Sequence, residues 1–160
     1  SMSGGSLVSR GGGKFIARPT SVGNPVTISV SAKGRKIGEY KFRVRKLPDP
    51  APYIAMGADR FKSGALSKAA LMSASGIHAA IDDGLLDIPF SVTSFRTVFF
   101  DNMGNAVPLA SNGSQFSAQQ KEQFRHLSRN KRFYITNVVV HGPDGTTRTL
   151  NGRNMEVIVQ

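Results

Sequence analysis

Histidine and aspartate side chains are the first candidates for chemistry in this chain. The three histidines are isolated from one another: His78, His126 and His141. His141 borders a turn and His126 lies in a polar segment, so we interpret both as surface residues. No pair of histidines has the spacing of a zinc site. The sequence therefore predicts neither a metal centre nor a histidine-based active site.

Three aspartates cluster near a second turn: Asp82, Asp83 and Asp87. Carboxylates in this arrangement could bind Ca²⁺, but their spacing is not that of an EF-hand loop. We therefore interpret them as solvated turn acids.

Nucleophile and phosphate motifs are also missing. Cysteine is absent, and no Gly-x-Ser-x-Gly elbow occurs. The run Gly11-Gly12-Gly13-Lys14 resembles a phosphate loop only superficially, because Phe15 stands where Ser or Thr would bind Mg²⁺. The sequence predicts a non-enzymatic protein without cofactors.

Positive charge is the strongest chemical feature. The net charge is +11, and residues 1–53 hold ten of the 21 Lys and Arg with only two acids. Six cations lie in one segment and are the candidate partner-binding residues: Arg35, Lys36, Lys41, Arg43, Arg45 and Lys46. Two interpretations stay open: a solvated face that discourages edge-to-edge pairing of strands, or a docking surface for an acidic partner. Nucleic acid is not expected, because no aromatic residues are interleaved on the cationic face for base stacking.

These cations lie on a predicted β-hairpin. Residues 25–32 alternate apolar and polar side chains, as a half-buried strand does, and Lys33-Gly34-Arg35 turns the chain into a second strand. That strand places Tyr40, Phe42 and Val44 on one face and is predicted to end at Leu47. With two short strands before residue 20, about four strands are expected, where an immunoglobulin-like sandwich has about seven. The first module is therefore expected to be truncated, its missing strands either cut away or supplied by another chain.

A proline-rich segment follows. Three prolines in five residues fix φ and remove backbone donors, so a stiff interdomain linker is predicted over residues 48–53. Its defining residues are Pro48, Asp49, Pro50 and Pro52.

Residues 54–160 are predicted to form a second β module with two short helices. The apolar phase of residues 88–100 slips by one position, which indicates a β-bulge near Thr93-Ser94. Ser67 should cap one short helix that ends at Gly76. Ser117 and Gln120 form a capping box for a second helix that extends to about Asn130. The predicted fold class is all-β: two tandem sandwich-like, immunoglobulin-like modules, residues 1–47 and 54–160.

The junction carries a family resemblance. The run Phe42-Arg43-Val44-Arg45-Lys46-Leu47-Pro48-Asp49-Pro50-Ala51-Pro52-Tyr53 resembles the C-terminal region of the GldM/PorM family of gliding motility and type IX secretion. Further matches are Leu66-Ser67-Lys68-Ala69, Gly76-Ile77-x-Ala79 and Ile88-x-Phe90-x-Val92-x-x-Phe95. The resemblance covers most of the chain up to Asp101.

The resemblance implies a periplasmic scaffold that transmits force. In such proteins an inner-membrane helix, absent from this chain, anchors tandem domains that form a homodimer. The implied partners are a GldL-type motor protein, reached through the missing N-terminal part, and GldK/GldN-type ring proteins under the outer membrane. The alternative function is a basic β-rich module that binds an anionic polymer or an acidic protein surface. No run of about 20 apolar residues, the length of a membrane span, occurs in the chain itself.

Overall fold

The backbone of this computed structural model, which describes residues 1–160, divides between Leu47 and Pro48. The N-terminal unit comprises Ser1–Leu47, and the C-terminal unit comprises Pro48–Gln160. Strands hold 54% of the residues and helices 9%, which confirms the all-β fold class.

The N-terminal unit consists of two antiparallel hairpins. Its four strands are β1 (Gly5–Gly11), β2 (Lys14–Pro19), β3 (Val26–Ala32) and β4 (Arg35–Phe42). β1 pairs with β2, and β3 pairs with β4. The first residues of the chain lie along β3, where the amide of Ser3 donates to the carbonyl of Thr27 at 2.9 Å. The hairpin that the sequence predicts after residue 25 is formed by β3 and β4.

The cationic strand is shorter than predicted. β4 ends at Phe42, which faces Val26, whereas the sequence predicted an end at Leu47. The residue before Val26 is Pro25, which has no amide to donate, so the ladder cannot extend past this pair. Beyond it, the amide of Gly23 donates to the carbonyl of Val44 at 3.2 Å.

Almost no side chain of the N-terminal unit is buried. Val26 is its single buried residue, and several large apolar side chains stay exposed: Phe15, Val22, Ile37, Tyr40 and Phe42. The other 21 buried apolar residues of the chain belong to the C-terminal unit. The two units therefore differ strongly in their hydrophobic cores. The N-terminal unit has almost no core of its own, and isolated two-stranded hairpins are only marginally stable in water.

The C-terminal unit is built on one hydrogen-bonded sheet of nine strands. They are β5 (Ala51–Met56), β6 (Asp59–Phe61), β7 (Gly64–Leu66), β8 (His78–Asp82), β9 (Asp87–Phe100), β10 (Ala106–Asn112), β11 (Arg132–His141), β12 (Thr147–Thr149) and β13 (Met155–Val159). The order is β6-β5-β8-β9-β11-β13-β7, with β10 on β9 and β12 on β11. All pairs are antiparallel except β13 with β7.

Part of the predicted linker is a strand. Residues 51–53 begin β5 and pair with β8, where Pro52 faces Ala79. The prediction of a linker over residues 48–53 is therefore wrong for residues 51–53, because a sheet ladder starts within the proline run. β6 pairs with β5 only from Ile54 onward, so the amide that Pro52 lacks is not required on that side. Pro50 and Pro52 are both buried.

The bulge predicted in β9 is present. Thr93 is the extra residue between Ser94, which faces Val139, and Val92, which faces Val140. It places Phe90 and Val92 on the same buried face as Phe95, Thr97 and Phe99. A second bulge, which the sequence analysis missed, lies on β11 at Asn137, whose φ is 50°. Asparagine tolerates this left-handed conformation, and the two bulges restore the register.

Two helices cover the C-terminal unit. α1 (Lys68–Ser73) is capped by Ser67 as predicted but ends at Ser73, before Gly76. α2 (Ala118–His126) has the predicted capping box but ends before Asn130. The Gln120 side chain is fully buried: it accepts from the Ser117 amide at 2.9 Å and donates to the Leu109 carbonyl at 3.0 Å. One residue thus caps α2 and ties it to β10.

Phenylalanine rings hold α2 against the sheet. Phe124 of α2 lies 4.9 Å from Phe116, 5.9 Å from Phe99 and 5.2 Å from Phe133, measured between ring centroids. Such pairs add about 1 kcal/mol each to the gain from burial. This packing sets where the C-terminal end of α2 lies relative to β9 and β11.

Candidate interaction surfaces

The six predicted partner-binding cations are all exposed in the N-terminal unit. Arg35, Lys36 and Lys41 lie on β4, while Arg43, Arg45 and Lys46 lie on the unpaired segment after it. Lys36 forms an ion pair with Glu39, and none of the other five has an acidic partner. They therefore form a cationic surface that neighbouring acids do not compensate. An acidic partner for this surface stays a prediction.

An apolar hollow of about 420 Å³ lies beside these cations. Arg43 and Arg45 line it together with Val44 and six mostly apolar residues: Met2, Ala17, Pro19, Val26, Ile28 and Phe42. The N-terminal unit therefore combines exposed apolar surface with positive charge.

The start of the C-terminal unit is fastened by Arg148. Its guanidinium donates to the Pro48 carbonyl at 3.1 Å, to the Asp49 carboxylate at 3.0 Å and to the Asp144 carboxylate at 2.7 Å. The Arg148 side chain is only 7% exposed. We call Pro48, Asp49, Asp144 and Arg148 the junction clamp. Planar, multidentate contacts of this kind require arginine and cannot be copied by lysine.

The turn between β11 and β12 holds the clamp in position. Asp144 accepts from the amide and the hydroxyl of Thr146, and Arg148 Nε donates to the same hydroxyl at 3.1 Å. The Thr146 hydroxyl, followed by the Thr146 amide and Arg148, holds the pKa of Asp144 below its ordinary value of 3.8. The Arg148 guanidinium also lies 5.6 Å from the centroid of the Phe90 ring. Sequence reasoning predicted Asp49 as a linker residue but missed Arg148, whose partner lies 99 residues away.

A second cationic surface, which sequence reasoning missed, lies on the C-terminal unit. Residues 121–132 carry five Lys and Arg and one acid, a net charge of +4. Two of these cations, Lys131 and Arg132, line a concave site of about 540 Å³. We call this site the basic groove; the residues that define it are Phe100, Asn102, Gln123, Leu127, Lys131 and Arg132. The charge density of this segment was the signal available in the sequence. It was concealed because basic and acidic residues nearly balance over residues 54–160 as a whole.

The predicted turn acids and histidines do not form a metal site. No group of three His, Asp or Glu side chains is arranged to hold a metal ion. Asp82 is bound by Lys62 at 2.8 Å and Arg60 at 3.4 Å, so it is ion-paired rather than simply solvated. Both histidines predicted to lie on the surface, His126 and His141, are exposed, which confirms that prediction.

Membrane-spanning helices are not found: neither helix is long and apolar enough to cross a bilayer.

Comparison with known families gives two matches. The model of the GldM C-terminal domain matches residues 48–160, and the model of the GldM third domain matches residues 1–45. No curated protein sequence matches the chain.

Proposed function

We propose, from the premise that this chain belongs to the GldM family, that it is a scaffold and force-transmitting module of the type IX secretion and gliding motor. The GldM family is a family of structural components of gliding motility and type IX secretion, and it is not a known enzyme family. In family terms its C-terminal domains are periplasmic. The module would link the inner-membrane motor to the ring associated with the outer membrane.

The junction clamp is the observation that carries this proposal. β5 pairs with β8 over only three residue pairs, so a pull on the chain at Pro48 would act on a short ladder. The clamp attaches the same segment to Arg148 of β12, which pairs with the long strand β11. Hydrogen bonds to charged groups contribute about 1.5–3 kcal/mol each. A load entering at Pro48 would therefore be shared between two parts of the sheet.

The partners follow from this role as proposals. The C-terminal unit would contact GldK/GldN-type ring proteins, and a GldL-type motor protein would bind parts of the full-length protein that precede this chain. The full-length protein would be a homodimer anchored in the inner membrane.

Clamp variants in the full-length protein test the proposal. Asp49→Asn and Arg148→Lys remove clamp contacts while keeping side-chain size or charge, and Arg96→Lys is the control at an exposed arginine without an ion pair. We expect reduced gliding and reduced secretion for the clamp variants at unchanged protein level. Full activity of both clamp variants would contradict force transmission through the clamp. Failure of residues 1–160 to capture ring proteins in a pull-down would contradict the proposed link.

The five unpaired cations of the N-terminal unit favour a second candidate function. They suit an anionic polymer or an acidic protein surface, and the two differ in how salt affects them. Polyanion binding should weaken about 10³-fold between low and moderate salt. A weak dependence on salt would exclude this candidate.

A further inference from the structure

The basic groove of the C-terminal unit has the features of a peptide-binding site. Two apolar side chains line it: Phe100 is 46% exposed, and Leu127 is half-buried. The Phe100 ring is held edge-on against Tyr134, with 6.1 Å between the centroids. Asn102 and Gln123 add amide groups that can hydrogen-bond to a peptide backbone. An exposed aromatic ring surrounded by polar groups is a common anchor site for a partner side chain.

The acidic residues near the groove leave part of its positive charge without an ion pair. Glu122 is occupied by Arg125 at 2.8 Å and His126 at 3.0 Å, and Glu156 by Arg132 at 3.0 Å. Asp101 also lines the groove; its carboxylate accepts three hydrogen bonds from neutral donors of its own turn and keeps its negative charge. Lys131, which lines the groove, and Arg129, two residues before it in the chain, have no ion pair. Their field favours a ligand with negative charge.

Both walls of the groove are fixed before any ligand binds. Lys68 of α1 donates to the carbonyls of Arg125 and Leu127, at 2.7 Å and 2.9 Å, and so holds the end of α2. On the other side, the Asn130 amide donates to the Val159 carbonyl at 2.7 Å, and the Val159 amide donates to the Lys131 carbonyl at 2.9 Å. A fixed site loses less conformational entropy on binding than a mobile one.

From these features we propose that the basic groove binds an extended acidic segment of a protein partner, with an aromatic or aliphatic side chain of that segment seated on Phe100. The inference rests on the proposed function only in naming the partner as a ring protein. The combination of an exposed aromatic ring, side-chain amides and the unpaired cation Lys131 favours a protein segment over a membrane surface or a polysaccharide.

The first experiment uses residues 1–160 and a fluorescent twelve-residue peptide rich in Asp and Glu with one central Phe. Binding is followed by anisotropy and mapped by amide chemical shifts. We expect the shifts to cluster at residues 99–103 and 121–132. The double variant Arg129→Glu/Lys131→Glu should weaken binding at least about tenfold, and Phe100→Ala about fivefold.

A charge-matched control separates a site from general attraction. Arg96→Glu/Arg153→Glu changes the net charge equally at exposed arginines without ion pairs outside the groove. Equal loss in the two double variants would overturn the proposal, as would a peptide without Phe that binds as tightly as the original. Vesicles of anionic phospholipid that bind through the groove more strongly than the peptide would also overturn it, in favour of a lipid surface.

A pull-down with ring proteins tests the inference and the proposed function separately. Capture of ring proteins that Arg129→Glu/Lys131→Glu leaves unchanged would overturn the groove as their site while the proposed function stands. Peptide binding at the groove without any capture of ring proteins would support the groove and contradict the proposed partner.

Discussion

Replacement of Arg148 by methionine should destabilise the C-terminal unit by about 3 kcal/mol. Removal of one member of a buried ion pair costs about 3–5 kcal/mol, because the remaining charge is left without compensation. The lower end applies here, since the Asp49 side chain is 54% exposed and that of Asp144 25% exposed, so water can reach both. Methionine keeps the contact with the Phe90 ring and isolates the loss of the polar contacts.

Equilibrium denaturation followed by far-UV circular dichroism measures this effect. A loss of about 3 kcal/mol corresponds to a fall in Tm of about 10 °C for a unit of this size. Arg96→Met is the matched control, an exposed arginine without an ion pair, and should change stability by less than about 0.5 kcal/mol.

Asp49→Asn completes the design. It should cost about 1 kcal/mol, because Asp49 is half exposed while Arg148 keeps its contact with Asp144. In a double-mutant cycle, Asp49→Asn should have almost no effect once Arg148 is methionine. The reasoning would be refuted if Arg148→Met were no more destabilising than Arg96→Met, or if the two clamp changes were additive.

Three further predictions concern the fold. Gly76→Ala should cost about 1–3 kcal/mol in thermal unfolding, because the new Cβ would overlap the Ser114 carbonyl where Gly76 pairs with Gln115; a wild-type Tm would contradict this close approach. Residues 48–160 should fold alone, whereas residues 1–47 alone should lack stable structure, since 21 of 22 buried apolar residues lie in the longer fragment; amide dispersion in NMR spectra of the two fragments checks both expectations. Hydrogen bonds from Lys62 hold the pKa of Asp82 below 3.8, and those from Thr146 do the same for Asp144. The stability that these two carboxylates contribute is therefore present above about pH 4, and it is lost as the pH falls through their lower folded pKa values. Denaturation from pH 7 to pH 2 should show this loss, and stability that rises on acidification would contradict the assigned ion pairs.

Local patterns in the sequence were enough to predict much of the fold. The period-2 alternation of residues 25–32 predicted β3, and the capping box at Ser117 predicted the start of α2. The phase slip at Thr93 predicted a bulge. Each of these signals depends on residues within a few positions of one another, so no knowledge of distant packing is needed. The junction motif also indicated the GldM family, which the family comparison confirms.

Other features depended on contacts between distant parts of the chain. Pro52 could be part of β5 because β8, which follows it by about 25 residues, offers a partner on one side while β6 leaves that position unpaired. The second bulge, at Asn137, compensates the first and can be located only once β9 and β11 are paired. The last carbonyls of α2 likewise accept hydrogen bonds from Lys68, some 60 residues earlier in the chain.

The interaction surfaces show the same division. The sequence by itself determined that the chain is basic, all-β and without a recognisable catalytic motif, because charge and periodicity are properties of residue order. Only the tertiary structure decided that Asp49 is held by Arg148, and that Phe100 lies beside Lys131 in one groove. The reason is physical: an ion pair or a groove is defined by distances of a few ångströms between side chains, and those distances exist only after the sheet has brought remote residues together.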